Sequence, residues 1–120
     1  MTGASLHDAE PPAPTGAYSP ARRLGPFVQF SGQVAQNLDA DVGDQTVQAL
    51  EQLQALLAEE GLGWQNVLMI RVFLADDRYW EGMDAAYRRV VAQPFPPRTA
   101  VSAGLGPNML VEIDALAVIA

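Results

Sequence analysis

The sequence predicts a single small α/β domain, a mixed sheet with two helices packed on one face in the order β-β-α-β-α-β-β. Two segments of helical period, near residues 45–60 and 77–91, each follow a stretch of strand character, and two more strand-like segments close the chain. A length of 120 residues with 49% hydrophobic content suits one domain with a real core. Residues 1–15 mix small, acidic and proline residues without a period and are read as a flexible tail, leaving 16–120 as the folded unit.

Within that unit, Ala17 to Arg22 reads as a short extended piece leading to a turn at Gly25-Pro26. Phe27 to Val34 alternates and ends in Phe30-Ser31-Gly32-Gln33, a strand opening into a loop. Asp44 or a neighbour is placed to cap the first helix, where Val47, Leu50, Leu53, Leu56 and Leu57 form the apolar stripe and Gln48, Glu51, Gln52 and Glu59 much of the polar remainder. Gly61 closes it. Val67 to Leu74 is apolar except for Arg71, the pattern of a strand buried on both faces. Asp76 and Asp77 start a second helix with a stripe of Tyr79/Trp80, Met83, Ala86/Tyr87 and Val90/Val91, and the prolines at 94, 96 and 97 end it. Arg98 to Ser102 and Met109 to Ile119 are the last strands. One face of such a sheet stays uncovered in a lone chain, which predicts an oligomer.

Composition removes several chemistries. There is no cysteine, hence no disulfide, thiolate metal site or thiol nucleophile. All seven basic residues are arginine, so an enzyme-lysine Schiff base is excluded. A formal charge of −7 argues against nucleic acid, whose binding depends on neutralising phosphates. No apolar run is long enough to span a membrane, and the N-terminus lacks the pattern of a secretory signal; a cytoplasmic protein is expected. The single histidine, His7, falls in the tail with no second ligand beside it, so no metal and no His-dependent triad is expected.

Two kinds of residue remain as candidates. On the closing strand, Glu112 and Asp114 alternate onto a face otherwise made of Leu110, Leu116 and Val118. A carboxylate there is either solvated, salt-bridged at a subunit contact, or held for a task. Arg98 follows a stiff Pro96-Pro97 pair and precedes small residues; it is either an arginine at a strand start or a planar two-point anchor for a carboxylate.

Four segments then resemble one family in the right order. Gly16-Ala17-Tyr18-Ser19-Pro20 is similar to the G-P-Y-S segment of the RidA (YjgF) family, and Val28-Gln29-Phe30-Ser31-Gly32-Gln33 to its F-V-S-G-Q strand. Pro97-Arg98-Thr99-Ala100-Val101 resembles its P-A-R-S/T-x-V signature, and residues 110–117, LVEIDALA, its V-E-I-E-A-I-A ending. The resemblance implies a chorismate-mutase-like fold, a homotrimer with sites between subunits, and hydrolysis of reactive imines and enamines such as 2-aminoacrylate to 2-keto acids and ammonia, without cofactor or metal. It assigns the substrate carboxylate to Arg98 and the attacking water to Glu112. Tyr18 lines the pocket, Ser31 and Gly32 contribute hydroxyl or backbone contacts, and Ala100 a backbone N–H.

Three features depart from that pattern. Ala100 stands where the family often has cysteine, and Asp84 where it often has asparagine, putting a negative charge beside an expected anion site. The loop from Val34 to Gly43 is shorter than usual. Asp84 makes a second reading credible, a module that binds small 2-keto acids without turnover.

Overall fold

In the computed structural model, which describes residues 16–119, the chain forms one five-stranded sheet with two helices on one side. β1 (Ala21–Leu24) and β2 (Phe27–Val34) form a hairpin whose turn places Gly25 at φ 59°, a conformation glycine takes without strain. β1 therefore begins four residues later than the extended piece expected at Ala17. The first helix, α1 (Val42–Glu59), is capped by Asp41, whose Oδ1 accepts from the Asp44 N–H at 2.9 Å. Gly61, at φ 74°, follows its end.

β3 (Val67–Leu74), α2 (Trp80–Val90) and β4 (Arg98–Ser102) make a β-α-β unit with parallel strands, and β5 (Val111–Val118) runs antiparallel between β2 and β3. The sheet order is β1-β2-β5-β3-β4. Asp76 caps a single 3-10 turn, Asp77–Tyr79, that leads into α2. The expected fold class and element order are those observed.

The core lies between the helices and one face of the sheet: Val28 and Phe30, Ile70 and Val72, Val111 and Ile113 meet Leu50, Leu53, Leu57 and Met83. Burial of this kind contributes about 25 cal/mol for each Å² of apolar surface removed from water. The α1 face is rotated from the one read in the sequence. Gln52, expected among the polar remainder, is buried and donates to the Val34 carbonyl at 3.0 Å, while Val47 is only partly covered. Buried Gln45 donates to the carbonyls of Leu38, Ala40 and Asn108 and accepts from the Leu110 N–H, tying the loop before α1 to the one before β5.

β3 corrects the reading of a strand buried on both faces. Val67, Ile70, Val72 and Leu74 are buried under the helices, but Met69, Arg71 and Phe73 lie on the open side of the sheet, Phe73 half-buried and the other two exposed. The run is apolar because both faces carry apolar residues, and in a single chain only one is covered. Phe27, Leu24 and Val101 continue the exposed apolar surface across β1, β2 and β4.

Candidate functional site

Arg98 opens β4 opposite Ile70, on the helix-covered side of the sheet. Helical spacing brings Trp80, Met83, Asp84 and Tyr87 of α2 onto the stripe that faces it. Its Nη1 donates to Asp84 Oδ1 at 2.8 Å and lies 4.0 Å from Met83 Sδ. The guanidinium carbon sits 4.6 Å from the Tyr87 ring centre and 5.4 Å from that of Trp80. Arg98 is thus held by two rings and a carboxylate, in addition to the prolines before it. Trp80 and Tyr87 belong to the apolar stripe legible in the sequence; that one edge of the stripe packs on an arginine is visible only in three dimensions.

Asp84 holds a second cation: Arg88 Nε donates to its Oδ2 at 3.1 Å. Burial by itself pushes the Asp84 carboxyl up, but the hydrogen bonds and charges of Arg98 and Arg88 together outweigh it and hold the group below its ordinary value. Burial pushes the Tyr87 phenol up to about 12, against the opposing pull of Arg98, so it stays neutral. Asp84, Tyr87, Arg88, Phe95, Pro96 and Arg98 enclose a cleft of about 240 Å³. Among the described residues, the Nε and Nη2 donors of Arg98 have no hydrogen-bond partner.

Ala100 lies on the same side as Arg98, opposite Val72. Pro97 O accepts from Ile70 N–H and Ala103 N–H donates to Leu74 O, so alternate residues of β4 turn their backbone groups toward β3. Arg98, Ala100 and Ser102 fall on the other alternation and point theirs off the unpaired edge of the sheet.

Glu112, Ser31, Gly32 and Tyr18 are elsewhere. Glu112 pairs with Phe73 and Val34, on the open side of the sheet. Between the pairs Phe30–Ala115 and Gln33–Ile113, β2 carries two residues, Ser31 and Gly32, against the single Asp114, a β-bulge. A side chain at Gly32 would collide with the Glu112 carboxylate; only glycine lets that carboxylate lie over the strand. Ser31 Oγ donates to Ser19 O at 2.6 Å and its N–H to Pro20 O at 2.9 Å, fastening the segment that carries Tyr18. Tyr18, 53% exposed, lines a hollow of about 520 Å³ with Ser19, Arg22, Gln29 and Ser31.

Within one chain the candidates therefore fall into two groups, Arg98, Asp84 and Ala100 on the helix-covered side and Glu112, Tyr18, Ser31 and Gly32 toward the open side. The pocket expected to contain Arg98 and Glu112 together is not formed by a single chain. His7 lies outside the described residues. Among the described residues, no three His, Cys, Asp or Glu side chains converge as metal ligands, and no helix is long and apolar enough to cross a membrane.

The family model described as Endoribonuclease L-PSP matches residues 8–119. A RutC family protein of Synechocystis is 35% identical, over 99% of this chain and 98% of its own. A 2-iminobutanoate/2-iminopropanoate deaminase of Dermatophagoides farinae is 28% identical, over 90% of each. The crystal structure of Escherichia coli TdcF with bound serine superposes with a TM-score of 0.85 at 27% identity, covering 92% of this chain and 94% of that one. The fold, the four ordered motifs and these matches agree: the chain belongs to the RidA (YjgF) family, the group matched by the Endoribonuclease L-PSP model.

Proposed function

We propose that the protein hydrolyses reactive 2-imino and enamine acids of the 2-aminoacrylate type to 2-keto acids and ammonia, in a homotrimer whose sites lie between subunits. The observation that carries this reading is the free Nε/Nη2 edge of Arg98, a two-point donor fork presented from a clamped side chain at an unpaired sheet edge. The separation of Arg98 from Glu112 supports the subunit arrangement. A small ligand reaches both only if the β4 edge of one copy lies against the open face of the next.

In that arrangement Arg98 holds the substrate carboxylate and the Ala100 N–H is a second donor on the same edge. Glu112 of the neighbouring copy holds water, with Tyr18, Ser31 and Gly32 around it. The enamine tautomerises to the imine, whose C2 is electrophilic. Water adds to C2 as Glu112 takes its proton; the proton passes to nitrogen, C2=O forms, and ammonia leaves. Imine and water give keto acid and ammonia, so the equation balances with water alone. Positioning and proton transfer are what these residues would supply. The deaminase name of one relative is in keeping with this chemistry. The family description's ribonuclease activity is disfavoured by 14 acidic residues against 7 basic ones.

The Asp84 contact favours the second reading, a binding module, because a ligand carboxylate meets an arginine already paired. Turnover decides between them. Imines generated in place by an amino-acid oxidase should lose ammonia faster with wild-type protein than spontaneously, and Arg98→Ala should return the rate to background. Background turnover in a wild-type protein that still binds 2-oxobutyrate would leave the binding module.

A further inference from the structure

We propose that Asp84 makes this site select zwitterions, the protonated imine above all, over plain 2-keto-acid anions: Arg98 takes the ligand carboxylate and Asp84 Oδ2 takes its cationic nitrogen. This rests on Arg98 being the carboxylate anchor. The two oxygens of Asp84 are held unequally. Oδ1 accepts from Arg98 Nη1 at 2.8 Å, where the arginine side chain is 20% exposed. Oδ2 accepts from Arg88, whose side chain is 64% exposed and four residues along the same helix. Exposed i,i+4 pairs are among the weakest ion pairs, so Arg88 is exchangeable for another cation while Arg98 is not.

The geometry suits one ligand class. Arg98 offers its Nε/Nη2 edge on one side and holds Asp84 through Nη1 on the next. A carboxylate on the free edge therefore lies close to a fixed anionic oxygen. For a keto acid that proximity is repulsive. For a 2-iminium acid, whose nitrogen is two bonds from the carboxylate carbon, the other oxygen of the same carboxylate, Oδ2, is a partner for the cation. Tyr87 stays neutral and adds no competing charge, and the Phe95 ring, 6.0 Å from the Arg88 guanidinium carbon, already accommodates a cation at that position. The chemistry follows the same sign. The iminium is the more electrophilic form, and its hydrolysis, iminium acid plus water to keto acid plus ammonium, balances in atoms and charge. It also removes the cation that Asp84 holds, so product binds less tightly than substrate.

The test uses two ligands of one carbon skeleton, 2-aminobutyrate as the zwitterion and 2-oxobutyrate as the anion, titrated calorimetrically into the full chain. Wild-type protein should bind 2-aminobutyrate more tightly. In Asp84→Asn, which keeps shape and an acceptor but removes the charge, the preference should shift toward 2-oxobutyrate by about tenfold or more, with the two affinities moving in opposite directions. Arg88→Ala, which frees Oδ2 and leaves the Arg98–Asp84 contact in place, should tighten 2-aminobutyrate and hardly change 2-oxobutyrate. An unchanged ratio in Asp84→Asn, or loosened 2-aminobutyrate binding in Arg88→Ala, overturns the proposal even if the first variant fails to fold. Failure of both ligands to bind wild type overturns it together with the Arg98 anchor. A selectivity shift without imine turnover upholds it and removes only the deaminase reading.

Discussion

Glu112 and Asp114 project from the same face of β5, two residues apart, and meet different neighbours. Asp114 is taken up by Arg71, which reaches it through Nη2 at 2.6 Å and through Nε at 3.0 Å, a salt bridge within one chain where solvent, a subunit contact or a task was expected. Glu112 instead lies over a glycine. The alternation was legible in the sequence; which acid had a cation opposite it was not, because Arg71 comes from β3, 43 residues away. Glu112→Gln should keep the fold and ligand binding while imine turnover drops by about 10²–10⁴, the usual weight of general acid–base assistance; unchanged turnover in a folded mutant would show the carboxylate to be structural. Asp84 gives a pH prediction. Its carboxyl is held below the ordinary 3.8, so its stabilisation is present above that value and is lost as pH falls through 3.8 toward the folded-state value. A series of melting temperatures from about pH 2 to 6 should fall less steeply on the acid side for Asp84→Asn than for wild type.

At the scale of elements, the sequence was most legible where period and punctuation agreed. The hairpin turn, both helices and the proline stop before β4 follow from residues at fixed offsets. It was least legible where a polar side chain is buried by a distant loop: Gln45 and Gln52 look like solvent-facing positions until the carbonyls they satisfy, from Val34, Leu38, Ala40 and Asn108, are brought to them. The Ser31–Gly32 bulge is a similar case, since an alternating pattern does not show that two residues oppose one. It carries its own prediction. Gly32→Ala forces the Glu112 side chain aside, since the atoms nearest the added methyl are all its own. Stability should change by less than about 1 kcal/mol. On the proposed role of Glu112 in placing water, displacing its carboxylate should lower turnover by about 10²-fold. Denaturant midpoints beside initial rates would separate the two; a large loss of stability would mean the bulge is a packing requirement alone.

For the whole molecule, the open face is the dominant unexplained surface. Leu24 is 69% exposed, Phe27 49% and Val101 46%, around an ion pair that a second copy would have to cover. A surface of this kind is expected to be buried by association, and a homotrimer is the expected form. Sedimentation equilibrium at micromolar concentration should give three times the 12.9 kDa chain mass; a monomer at that concentration would leave Arg98 and Glu112 without a way to meet. The division of those two residues between the faces of the sheet has a genetic consequence. In the proposed homotrimer, Arg98→Ala and Glu112→Gln chains damage different halves of each junction, so two inactive alleles should complement. In any mixed trimer, one junction joins the sound arginine of one chain to the sound glutamate of the next. Random reassembly of equal amounts should therefore recover about a quarter of wild-type activity, the share expected for one intact junction in three among the three-quarters of trimers that are mixed. A single chain carrying both substitutions, diluted with wild type, should show no such gain. Activity that stays at the level of the inactive parents after subunit exchange would mean that each site draws both residues from one chain.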